Sequence, residues 1–261
     1  MLNPEGIVKT KFTLPDPDNG DTLEIDSGGE NTNSQMPVSY AFQFGDRLIR
    51  LIDSCGFGDV LEKNVKNYDR IFDYLNSFDH LNAICIFVKA TMNPITVATR
   101  FVVTELLSRL HKDATENIFF CFTYSRTSLY GPGDGFASFK TFFTNDLEGK
   151  IKLSPNENCF FVDNESYRYL VAKKYNYPFS QAQEVMYEES WAKSSEQVLE
   201  LVLSIFDLEP HDVKQSFMMN NARSLLAKLK KSSLALENNI ELLSDQIKNE
   251  EEHRNDLIKT K

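Results

Sequence analysis

The period of hydrophobic and polar positions changes several times along the chain, and each change marks an element. VSYAFQF (38–44) and RLIRLID (47–53) are strand-like runs separated only by Gly45 and Asp46. That spacing predicts an antiparallel hairpin with a two-residue turn. Beyond a turn at 54–61, Val65, Tyr68, Ile71, Phe72, Leu75 and Phe78 recur at helical spacing and predict the first helix. NAICIFVK (82–89) and NIFFCFT (117–123) are nearly continuous apolar runs, with a helical pattern from Pro94 to His111 between them. The Gly/Pro loop YGPGDG then leads to a short helix ending near Phe143, to CFFV as a last strand, and to NESYRYLVAKKY as a helix. AQEVMYEESWAKSSEQVLELVLSIF reads as a further amphipathic helix. Strands that are apolar on both faces and joined by crossover helices form a parallel sheet covered on both sides. The predicted fold is therefore α/β, doubly wound, with a mostly parallel sheet.

The two ends of the chain differ from this middle. Residues 1–37 are rich in Asp, Asn, Gly, Pro and Ser, and apart from IVKTKFTL they hold no sustained period, so they read as loop. From about Val213 onward no glycine or proline interrupts the chain, and Leu226, Leu229, Leu236, Ile240, Leu243, Ile247 and Leu257 recur at alternating three and four spacing. Ser233, Glu250 and Arg254 interrupt that series. The pattern predicts a helical arm with a heptad seam, either a self-association surface or a strip that packs back on the domain. The organisation read from the sequence is thus a loop-rich segment (1–37), an α/β domain (38–206) and a helical, coiled-coil-like extension (207–261).

Composition narrows the partners. The net charge is −10 and the sequence pI about 5.0, which argues against binding nucleic acid or an anionic membrane through the overall field. The cysteines at 55, 85, 121 and 159 stand far apart without a CxxC pair, which suits reduced thiols and a reducing, cytoplasmic compartment. The longest apolar run, 83–88, is too short to span a bilayer. The histidines at 80, 111, 211 and 253 are too scattered to form a metal site with the cysteines.

The candidate chemistry lies in LIRLIDSCGFGDV (48–60). Asp53 ends a strand, where open α/β sheets bind ligands, and Gly56 follows three residues later. A carboxylate at that position can hold Mg²⁺ through a water, and a glycine amide can approach a terminal phosphate because no Cβ intervenes. The same residues serve equally as a turn into a helix in any α/β protein.

SYAFQFGDRLIRLIDSCGFGDV resembles the strand, strand and switch II segment of the septin-like and immune-associated (AIG-type) GTPases, whose version usually reads Asp-Thr-Pro-Gly. The resemblance continues through NAICIFVKATMNPIT and NIFFCFTYSR to FFVDNESYRYL, covering roughly residues 8–206 and strongest over 39–133. It implies a P-loop GTPase-like domain that binds GTP or GDP with Mg²⁺. Nucleotide contacts then fall at Ser34, Asp53, Gly56, Thr123 and Asn164, and Mg²⁺ contacts at Asp53 and Ser34, the latter in the place of the switch I threonine. Asp163 and Glu165 border the base site in the same resemblance. The bland readings are a solvated loop serine, a strand-end hydroxyl at Thr123, and an N-cap for the helix that starts near 164. Lys89 reads as a solvated lysine at a strand exit or as a group facing a ligand.

The departures are as informative. The phosphate cradle G-x-x-x-x-G-K-[ST] does not occur in the 261 residues, and in the family it lies on a strand and helix before switch I. The domain is therefore expected to be N-terminally incomplete relative to the family, with an open sheet edge that favours self-association or aggregation. Arg126 stands where the family carries its guanine-reading aspartate. No catalytic base is evident. Two functions follow as expectations. One is a GTP-binding protein of this class whose hydrolysis requires the complete domain. The other is a nonenzymatic pseudo-GTPase scaffold that assembles through its sheet edge or helical arm.

Overall fold

The structure is a computed structural model that describes residues 36–54, 56–57, 61–155 and 157–259, with side chains described except at 61–63 and 250–259. Its elements are the hairpin β1 (Val38–Phe44) and β2 (Arg47–Asp53), α1 (Leu61–Leu75), β3 (His80–Leu81), β4 (Ile84–Lys89), α2 (Val97–Arg109), β5 (Ile118–Thr123), α3 (Asp134–Asn145), β6 (Cys159–Phe161), α4 (Glu165–Lys174), α5 (Gln181–Phe206), β7 (His211–Asp212) and α6 (Val213–Lys259). Two compact units result, one ending at Val213 and the other beginning at Lys214.

In the first unit β4, β5 and β6 form a parallel sheet in that order, with Lys89 opposite Thr123 and Phe122 opposite Phe161. The alternation of β5 explains why both faces are covered. Ile118, Phe120 and Phe122 enter one core with Val103 of α2 and Phe139 and Phe143 of α3, while Phe119 and Cys121 enter a second with Phe160 and Leu201 of α5. Rings in the first core meet edge to face, as in Phe122 on Phe139 at 5.9 Å and Phe120 on Phe143 at 5.1 Å. Such pairs add about 0.5–1.5 kcal/mol each beyond area burial. The thiols pack as small apolar groups. Cys121 and Cys159 are buried, and burial pushes the Cys159 thiol up to about 12.

The hairpin forms as its pattern predicts, with Phe44 opposite Arg47 and Gly45 in the left-handed region at φ +57°. A glycine relieves the Cβ clash at that turn position. The hairpin is, however, a separate two-stranded sheet, and among the described residues β2 and β4 are not hydrogen-bonded to each other. Both sheets lean on the same helices. Ser39 Oγ and Tyr74 OH of α1 lie 2.8 Å apart, and Phe44 packs on Phe206 of α5, while Phe72 of α1 and Leu201 of α5 touch the two cores of the parallel sheet. Tyr68 is fully buried, and its hydroxyl donates to the Val102 carbonyl.

The α/β unit extends past Phe206, beyond the boundary that the pattern predicts. β7 pairs antiparallel with β3, and Asn117 Nδ2 donates to the carbonyls of Asn82 and Glu209 at 2.9 Å each. Residues 207–213 thereby belong to the α/β unit, held by backbone pairing too short to leave a periodic signal. The second unit is a single helix, part of the 47-residue α6. Among the described residues, no helix is long and apolar enough to cross a membrane.

Candidate functional site

The hairpin is placed by its contacts with α5 and α1. Near the middle of α5, Ser190 Oγ is hydrogen-bonded to Tyr130 OH and Ser194 Oγ donates to the Asp163 carbonyl, beyond the carboxyl ends of β5 and β6. Near its end, Leu201 and Ile205 sit with Ala83 and Phe119, at the amino ends of β4 and β5. The same end of α5 holds the start of β2, where the Arg47 guanidinium lies 4.4 Å over the Phe206 ring. The start of β2 therefore lies toward the amino ends of the parallel strands, and the rest of the hairpin follows the C-terminal end of α1, where the Arg50 guanidinium lies 5.5 Å over the Phe78 ring and Ser39, the partner of Ile52, meets Tyr74.

The carboxyl rim of the parallel sheet gathers Lys89, Thr123 and Asn164, whereas Asp53 ends the separate hairpin. Asp53 is exposed and bonds no described side chain. Gly56 is anchored to α1 because Asn67 Nδ2 donates to its carbonyl at 2.9 Å. A Cβ added at Gly56 would meet nothing within 4 Å, so packing within the described protein does not demand glycine there. Lys89 is exposed, with Nζ 5.8 Å over the ring of Tyr124. Ser34 lies outside the described residues, as does Cys55.

Thr123 is partly committed. Its hydroxyl donates to the Val88 carbonyl at 3.2 Å, tying β5 to β4, and a lone pair on the oxygen remains for a donor. Asn164 is exposed, its backbone sits at φ −103° and ψ 16°, and its side chain makes no capping bond to α4. Asp163 caps instead, its two oxygens accepting from the backbone N–H groups of Glu165 at 3.1 Å and Arg126 at 3.3 Å.

The loop after β5 holds features that sequence reasoning missed. Tyr124, Leu129 and Tyr130 all have φ between +54° and +58°, a conformation costly for non-glycine residues and concentrated at functional loops. No propensity signals it, because tyrosine and leucine are not left-handed formers. Arg126 Nη1 donates to Glu165 Oε2 at 2.8 Å, and Glu165 Oε1 is buried without a partner. This pairing raises the already high pKa of the arginine. Gly135, in YGPGDG, is sterically required. Its N–H donates to the Ala90 carbonyl at 3.1 Å, and an added Cβ would lie 2.2 Å from that oxygen. The close approach seats α3 under the turn that follows β4.

Mg²⁺ takes oxygen donors and keeps several waters and phosphate oxygens in its shell. Among the described residues no cluster of three or more His, Cys, Asp or Glu is arranged for a metal. The solvent-facing carboxylate of Asp53 suits contact through a water to an ion held mainly by phosphates. A cleft of about 510 Å³ lies elsewhere, between the hairpin turn and the end of α5, lined by Phe44, Arg47, Leu203 and Phe206. It stands at the amino end of the strands, opposite the rim. Compared with models of known protein families the chain matches none, and compared with curated proteins it again matches none.

Proposed function

We propose that the chain is a nucleotide-binding α/β protein of the septin-like or AIG-type GTPase class, reading GTP or GDP at the carboxyl rim of its sheet. One observation supports this reading: Lys89, Thr123 and Asn164, which the resemblance or the strand pattern singles out, lie at the carboxyl ends of the parallel strands, where open α/β sheets take ligands. When bound, Mg²⁺ with GTP supplies neutralisation of the phosphate charge for attack by water. Within the chain, Asp53, through a water, and the Ser34 hydroxyl would hold the ion, and the Gly56 amide would meet the terminal phosphate. Thr123 and Asn164 would flank the base, with Arg126 in the place of the usual aspartate. No side chain of the rim is positioned as a general base.

A second reading has its own observation. The groups around the base position are largely satisfied by one another: Arg126 by Glu165, Asp163 by two backbone N–H groups, and Thr123 by Val88. That saturation favours a scaffold with a degenerate site.

Titration of the purified chain with a fluorescent GTP analogue and Mg²⁺, with ATP and GDP as competitors, separates the two. Micromolar, GTP-selective binding lost on Asp53→Ala supports the first. Absence of binding at millimolar nucleotide rejects it in favour of the scaffold.

A further inference from the structure

From Met219 to Ile247, four heptads along α6, positions alternate at spacings of three and four. Leu226, Leu229, Leu236, Ile240, Leu243 and Ile247 fall on this seam, and each is between 57% and 66% exposed. A helix of this length, about 70 Å at 1.5 Å per residue, owes its stability to packing of its apolar stripe rather than to propensity. The stripe is covered by nothing in the described protein.

We infer that the partner is the same stripe of a second copy, parallel and in register, in a two-stranded coiled coil. Three features of the sequence choose this occupant and this orientation. First, with Met219 at heptad position a, the a positions are Met219, Leu226, Ser233, Ile240 and Ile247, and the d positions are Ala222, Leu229, Leu236 and Leu243. Ile240 and Ile247 at a with Leu236 and Leu243 at d are the combination that, in parallel coiled coils, favours two strands. Second, the flanking g and following e positions pair as Met218 with Arg223, Leu225 with Lys230, Ser232 with Glu237, and Asn239 with Ser244. No pair sets like charges against each other, and two place the stem of a basic residue over an apolar neighbour. Third, Ser233 is the polar interruption of the seam over 219–247. A parallel register sets it against its own copy, hydroxyl to hydroxyl. An antiparallel dimer pairs a with d, which over this range sets Ser233 against alanine or leucine and strands the hydroxyl.

The inference is independent of nucleotide binding and is tested on the full chain. Sedimentation equilibrium from 1 to 100 μM is expected to give twice the monomer mass of 29.9 kDa. Leu236→Lys with Ile240→Lys removes four buried aliphatic side chains from the dimer and weakens association by more than about 100-fold. An unchanged melt of the α/β unit checks that the variant folds. S233C is expected to give a disulfide-linked dimer in a glutathione redox buffer in which the unmodified chain does not. A monomer at 100 μM overturns the inference, as does a dimer indifferent to the lysine pair. A dimer that S233C does not cross-link overturns the parallel register.

Discussion

Arg126 and Glu165 meet at 2.8 Å through Nη1 and Oε2, while the other oxygen of the same carboxylate, Oε1, is buried with no partner. Among the described residues no other buried side-chain N or O atom is left open in this way, and such a gap is costly. The carboxylate is held through Oε2 by the partly exposed Arg126. Glu165→Ala is then expected to lower stability by no more than about 1 kcal/mol, the worth of a partly exposed ion pair. Urea unfolding measures it, and a larger loss would contradict the weak pairing described.

Two glycines are expected to respond in opposite ways. Gly135→Ala drives a Cβ to 2.2 Å from the Ala90 carbonyl oxygen, an overpacking that costs about 1–3 kcal/mol and shows as an earlier midpoint in urea. Gly56→Ala meets no protein atom, so its urea midpoint should stay within about 0.5 kcal/mol of the parent. A loss of nucleotide affinity in Gly56→Ala alone would assign that glycine to the ligand.

Phe122 contacts Phe136, Phe139 and Phe161 in the first core and is fully buried, whereas Phe87 on β4 is 67% exposed. Phe122→Ala is expected to cost about 3–5 kcal/mol, a large share of the ordinary 5–15 kcal/mol stability of a domain. Phe87→Ala is expected to change the thermal midpoint little. Equal effects of the two would contradict the packing described.

His211, in the short β7 strand, is buried, and its pKa is held below 6.5 by burial first and by the nearby His111 second. The neutral ring is therefore favoured in the folded state. Its contribution to stability is complete above the unfolded value of about 6.5 and is lost as pH falls below it through the folded value, because the unfolded chain binds the proton more readily. His211→Gln should flatten the decline in urea midpoint below pH 6.5. A decline as steep as in the parent would locate the titration elsewhere.

Much of the fold is legible in side-chain periodicity. The Gly-Asp turn between two strand-like runs specifies the hairpin, the apolar run of β5 specifies a buried parallel strand, and a heptad pattern free of glycine and proline specifies the 47-residue α6. Two-residue strands carry no period, so the β3 and β7 pairing that draws residues 207–213 into the α/β unit was not readable. The candidate site divides in the same way. Asp53 at a strand end and Gly56 beyond it stand out in the sequence as residue types placed by a local pattern.

What the sequence by itself determined is the order of the elements and the faces they bury, because both follow from spacings of two and of three to four residues along one chain. Tertiary structure alone decided that α5 holds the start of β2 at its C-terminal end and Asp163 at its middle, and that Lys89, Thr123 and Asn164 share one rim. It alone decided that Arg126 spends its charge on Glu165, that Tyr124 is held left-handed, and that Gly135 lies against Ala90. These relations join residues up to more than a hundred positions apart, and they depend on distances that close only when the two cores are packed.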